Sequence, residues 1–138
     1  MIGISDAAQA AVVTALRGDA GLAALVGVRV YDDVPDAALF PYISLGPEDW
    51  QPFEAACLDG AEGNMQIDVW SRSVGRVECK AIVERVAHIL NTDDVLPVPG
   101  GGYRVTSLQV TMAQVMSDQA ARSRHGVVQV QMTVERDI

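Results

Sequence analysis

The sequence predicts an α+β fold, a largely antiparallel sheet with helices packed on one face, and three observations predict it. First, 138 residues with 49% hydrophobic and 20% charged side chains suit one globular domain, here residues 1–138. Second, apolar residues between Gly75 and Asn91 recur at helical spacing, whereas those of Met65–Trp70 and Val128–Glu135 alternate with polar ones. Third, the elements run helix-helix-strand-strand-strand-helix-strand-strand, an order that favours hairpins over a parallel βαβ sheet. Folding at this length hides roughly two-thirds of the unfolded chain's surface, enough for a core without disulfides or a structural metal. Cys57 and Cys79 therefore need no partner and read as a small buried residue and a loop thiol.

Asp6 followed by Gln9 resembles a capping box, and Ala8, Val12, Val13 and Leu16 continue a helical stripe that stops at Gly18. Asp19 caps a second, short helix through Leu22, Leu25 and Val26, ended by Gly27. Val28, Val30 and Tyr31 read as a strand running into Pro35, and Tyr42–Leu45 as another before Gly46-Pro47. A long acidic connection, punctuated by Pro47, Pro52, Gly60 and Gly63, is expected from there to Gly63. Met65, Ile67 and Val69 then form the apolar face of a strand whose other face is polar apart from Trp70. In the following helix Cys79, Ile82, Val83, Val86, Ile89 and Leu90 share one side, a stripe able to cover a sheet. After Pro97, Pro99 and Gly100-Gly101-Gly102, Tyr103 to Met116 is a long strand with a phase change near Ser107-Leu108, the sign of a bulge. Asp118 to Gly126 reads as a turn carrying Arg122, Arg124 and His125, and Val128, Val130, Met132 and Val134 mark the last strand.

The net charge of −8 is unevenly distributed. Residues 30–71 hold nine acids and no lysine or arginine, while the flanking segments are close to neutral. A protein that grips a nucleic-acid backbone needs cations to displace its counterions, so this segment repels DNA. A solvated, solubilising face and a functional acidic surface both remain open for it. No basic stretch opens the chain, and the longest uncharged apolar run, Ala20 to Val28, is under half of the roughly 20 residues a membrane span requires. A soluble intracellular product with no membrane partner is expected.

Motifs of chemistry mostly fail. The triple glycine is followed by Tyr103-Arg104-Val105 where a phosphate loop requires lysine at a helix start, so it reads as a turn. His88 lies one helical turn beyond Glu84 on a polar face, and His125 has no cysteine or second histidine at ligand spacing. Neither suggests a metal, and no cofactor is expected. Asp32-Asp33 and Asp93-Asp94 are paired carboxylates, but neighbours on a strand point to opposite faces, and the second pair follows a helix as a solvated turn. No serine, threonine or cysteine has a recognisable nucleophile setting, which argues against an enzyme. Trp50 and Phe53 in the proline-bounded connection, Trp70, and the Arg122 and Arg124 tip are candidates for contact with another chain. Local packing of the aromatics and solvation of the arginines are the competing readings.

The stretches Arg29-Val30-Tyr31-Asp32-Asp33-Val34-Pro35, Phe40-Pro41-Tyr42-Ile43-Ser44-Leu45-Gly46, Asp68-Val69-Trp70-Ser71-Arg72 and Arg124-His125-Gly126-Val127 carry a resemblance. In this order and spacing, over nearly the whole chain, they resemble a family of small phage and prophage proteins similar to the tail terminator, or tail completion, proteins of long-tailed phages and gene transfer agents. The resemblance implies a homo-oligomer, a six-fold ring, that ends the tail tube and offers its other face to the head-tail connector or stopper. It implies partners in the tube protein and that connector, and a central hole through which DNA passes without being bound. It carries over no catalytic residue. On this reading Asp32, Glu48, Asp49 and Glu54 line or approach the hole, and Trp50, Phe53, Trp70, Arg122 and Arg124 meet other subunits or the tube. The alternatives are a small enzyme or ligand-binding domain using Asp32 and Asp33, and a neck protein on the connector side.

Overall fold

A computed structural model describes residues 2–53, 59–72, 75–118, 120 and 122–136. Three helices, α1 (Ile2–Arg17), α2 (Ala20–Val26) and α3 (Val77–Ile89), pack on a six-stranded sheet formed by β1 (Val30–Tyr31), β2 (Tyr42–Pro52), β3 (Gly60–Ser71), β4 (Leu96–Pro97), β5 (Tyr103–Asp118) and β6 (Ser123–Arg136). The strand order is β1-β2-β3-β6-β5-β4, antiparallel throughout except for the short parallel pair of β1 and β2. The α+β expectation is met.

Alternation decides which sheet face is covered. Met65, Ile67 and Val69 of β3 stand beside Val130, Val128 and Gly126 of β6, and all of them are buried. Ala8, Val12 and Leu16 of α1, and Cys79, Ile82 and Val86 of α3, fill the space above them. Gly126 sets how closely α3 approaches, since any side chain there would collide with Val83 and press on Val69 and Cys79. No single helix among the described residues is long and apolar enough to cross a membrane, and α1 and α2 are bent by 82° at their junction.

Several expectations are corrected. The first helix starts at Ile2, so Asp6 lies inside it and is not its cap; the apolar stripe already includes Ile4. Asp19 does cap α2, accepting from the Leu22 amide at 2.8 Å. Val28 is outside β1 and 80% exposed. Most of the expected acidic connection is strand. β2 continues through Glu48, Asp49 and Trp50 to Pro52, and Gly46-Pro47 is absorbed as a bulge between Leu45 and Glu48. Pairing with β3 decides this stretch, whose own side chains are mostly exposed and show no apolar alternation. The turn expected over Asp118–Gly126 is likewise shorter, because β6 begins at Ser123 and takes Arg124 and His125 into the sheet. β5 carries the expected bulge between Val105 and Ser107 and a second between Val110 and Met112. The triple glycine is a turn, with φ of 88°, 73° and 84°.

Candidate assembly surfaces

The four stretches that carry the family resemblance converge at one end of the sheet. Tyr42 of β2, Trp70 of β3, His125 of β6 and Met116 of β5 stand side by side across four strands. The His125 ring stacks on the Trp70 indole, centroids 3.9 Å apart and planes within 6°. Trp70 Nε1 donates to Ser44 Oγ at 3.0 Å, and His125 Nε2 donates to Asp68 Oδ1 at 2.7 Å. The line continues along the open face, where Gln66 Nε2 donates to the same Asp68 oxygen at 3.0 Å and Gln129 Nε2 to Gln66 Oε1 at 3.2 Å. Asp68 is only 7% exposed, so its carboxylate is held by these donors as a buried polar group must be. Around the corner Arg29 Nε donates to Pro41 O at 2.8 Å, Phe40 packs against Tyr42, and the Arg72 guanidinium lies 4.2 Å over the Phe40 ring. His125 is thus committed to a carboxylate and an indole, an arrangement that fixes three strands relative to one another.

The open face of the sheet is polar. Asp49, Asn64 and Gln131 lie in one row across β2, β3 and β6, and Gln66, Gln129 and Met112 in the next row of β3, β6 and β5. Asn64 Nδ2 donates to Asp49 Oδ1 at 3.2 Å. The β2 bulge opens a shallow depression here, bordered by Pro47, Asp49, Asn64, Gln66 and Gln129. Amides and the Asp49 carboxylate make these rows a weakly negative surface.

Trp50 and Phe53 lie along the β2–β3 hairpin. Trp50 stands directly opposite Gly63 and covers it, and Phe53 lies over Gly60, whose carbonyl accepts from the Phe53 amide at 3.0 Å. Both keep part of their surface exposed. Glu48 points to the helix-covered side, accepting from Ser5 Oγ of α1 and from Trp50 Nε1 at 3.3 Å, while Asp49 points to the open side. Asp32 and Asp33 sit exposed on the bend after β1. Glu54 and Cys57 lie outside the described residues. Arg122 is exposed in the β5–β6 turn at φ 52°, and Arg124 is half-buried at the start of β6, opposite Ser71 and Ser117. No group of three or more His, Cys, Asp or Glu suited to a metal occurs among the described residues.

Sequence reasoning singled out Trp70 but missed its partners Ser44, Asp68 and His125. Asp68 and His125 are 57 residues apart, and only the β3–β6 register joins them. The available signal was an aromatic on the polar phase of a strand, which requires something flat beside it.

Residues 10–135 match the family described as Tail completion protein gp17. The curated Tail completion protein gp17 of Bacillus phage SPP1 is 26% identical over 98 residues, 71% of this chain and 70% of that protein. A chain from the virion of a native gene transfer agent particle superposes with a TM-score of 0.85 at 34% identity, covering 98% of this chain and 99% of its own. The solved structure of bacteriophage SPP1 gp17 superposes at 0.59 with 27% identity, covering 94% of this chain and 89% of its own.

Proposed function

Because the chain belongs to the Tail completion protein gp17 family, we propose that it is a non-catalytic virion protein that forms a six-fold ring, ends the tail tube and joins it to the head-neck connector. The observation that carries this reading is the whole-chain likeness to a chain of a gene transfer agent virion, at an identity and superposition that extend from α1 to β6. The protein is placed in a phage or gene-transfer-agent particle on the same ground. The polar open face supports a channel wall, since its amides and the Asp49 carboxylate give passing phosphates little to bind, and Arg104 of β5 on this face is opposed by Glu135 of β6.

In this reading the exposed parts of Trp50, Phe53, Trp70, Arg122 and Arg124 meet other subunits or the tube. Asp32 and Asp49 line or approach the hole, with Glu54 as a further acid in the segment outside the described residues, whereas Glu48 points to the helix-covered side, away from the open face. Asp49 suits that role best, because it lies on the open face beside Asn64. An acid–base pair built on Asp32 and Asp33 gains no support, both being exposed on a bend. Deleting the gene tests the proposal: DNA-filled heads and separate tails are expected, with tails of uncontrolled length. Joined particles of normal appearance would contradict it.

A further inference from the structure

The sheet is left open at two places that face in opposite directions. On one side, β4 covers β5 only at Arg104 and Val105, Thr92 bridges to Leu108, and Asn91 accepts from the Val110 amide. From Met112 to Met116 β5 has a strand neighbour only in β6 among the described residues. On the other side, β1 covers β2 only at Ile43 and Ser44, so Glu48 to Gln51 pair with β3 alone. Such rows of unpaired amides and carbonyls are templates for another strand, and natural proteins normally blunt them.

The open edge of β5 is also the floor of a groove. Val83 of α3 and Ala113 and Val115 of β5 form its apolar base, with Arg76, Lys80 and Glu84 along the rim. Arg76 is anchored there by donating to Ser117 Oγ at 3.1 Å. The open edge of β2 has the opposite character: Glu48 projects on the helix side, next to the half-buried Trp50, within a segment that has no cation from residue 30 to 71.

We propose that the groove between α3 and the open edge of β5 receives the open edge of β2 from a second copy of this chain, with Glu48 facing Arg76 and Lys80 and Trp50 settling on the apolar base. The proposal deepens the ring reading and rests on it. Strand directions agree, because β5 and β2 run opposite ways in the sheet and a copy rotated about the ring axis presents β2 antiparallel to β5. The helix-covered faces stay on the same side, which brings Glu48 to the level of Arg76 and Lys80. Charge favours the unlike pairing: two β2 edges would oppose Glu48 to itself, and two β5 edges would set a rim of two cations, Arg76 and Lys80, and one acid, Glu84, against its own copy. The unlike pairing sets acid against base, and an unlike, head-to-tail contact is the kind that generates a ring. The open parts lie at opposite ends of the sheet, so each neighbour is displaced along the strands, and the strands run obliquely to the ring axis as in closed barrels.

The test uses the full chain at a concentration where it assembles, with native mass as readout and circular dichroism as the check on folding. Reversing the groove (R76E with K80E) and reversing the edge (E48K) should each weaken assembly at least about tenfold, as removal of a complementary charge pair does at other interfaces. The triple variant R76E, K80E, E48K restores opposite charges in a head-to-tail contact and should regain assembly, whereas any self-pairing would stay broken. Glu48→Gln keeps an oxygen for Ser5 and Trp50 and should weaken assembly in a folded chain, covering the case that E48K misfolds. Assembly unaffected by the reversals, or folded reversals that the triple variant does not rescue, would overturn the contact while leaving the ring standing. An unmutated chain that stays monomeric even on tail tubes would overturn the ring reading and this contact with it.

Discussion

Gly126 shows how much one residue decides. It lies in β6 under α3, and a side chain there would collide with Val83 while crowding Cys79. Gly126→Val should lower the unfolding free energy by about 1–3 kcal/mol, the usual cost of overfilling a packed interior, and denaturant unfolding measures it. Unchanged stability would mean that α3 sits farther from the sheet. Asp19 gives a prediction in pH. Arg85 donates to it twice at 2.7 Å and the Leu22 amide once, which hold its carboxyl down to about 2. A carboxyl lowered by folding contributes stability that is complete above its ordinary value near 4 and is lost as pH falls through the folded value of about 2. Asp19→Asn should therefore lower stability at neutral pH and flatten its decline below about pH 4; parallel acid-unfolding profiles for the two proteins would refute the pairing. The cap itself was legible, because Asp19 follows Gly18 and precedes an apolar run. Its bond to Arg85, 66 residues away, was not.

At the scale of elements, legibility followed burial on one face. α3 and β6 have one buried and one exposed side, so their periods stand out in the sequence. The distal half of β2 has mostly exposed residues on both sides and two prolines, and what makes it a strand is the register offered by β3. The same absence of pattern disguised Arg124 and His125 as turn residues. Trp50 and Phe53 illustrate the consequence, each lying over a glycine of the partner strand, where it supplies packing that the glycine cannot. Replacing both with alanine should cost about 1–2 kcal/mol of stability and also weaken assembly, since each keeps an exposed part. A double variant that unfolds less readily or assembles as before would show that the hairpin neither depends on these rings nor presents them to a neighbour.

For the whole molecule, the nine-to-zero charge of residues 30–71 is the feature with the widest reach. In the proposed ring the exposed acids of this segment, among them Asp32, Asp33 and Asp49, would form a negative band effective over the roughly 8–10 Å that physiological salt allows. The isolated protein should not bind duplex DNA at any salt concentration, and salt-sensitive binding in a mobility-shift titration would contradict the proposed channel wall. Fold class and family resemblance were readable from the chain alone, because they rest on local periods and short stretches. The site was not, since its residues are joined only by the β2–β3–β6 register. Electron microscopy of particles with their tails attached tests the ring at the end of the tube. Density for this chain as a six-fold ring between the last tube ring and the connector, with the polar sheet face toward the hole, is the expected result. Density elsewhere in the particle, or a ring whose wall there is basic, would contradict it.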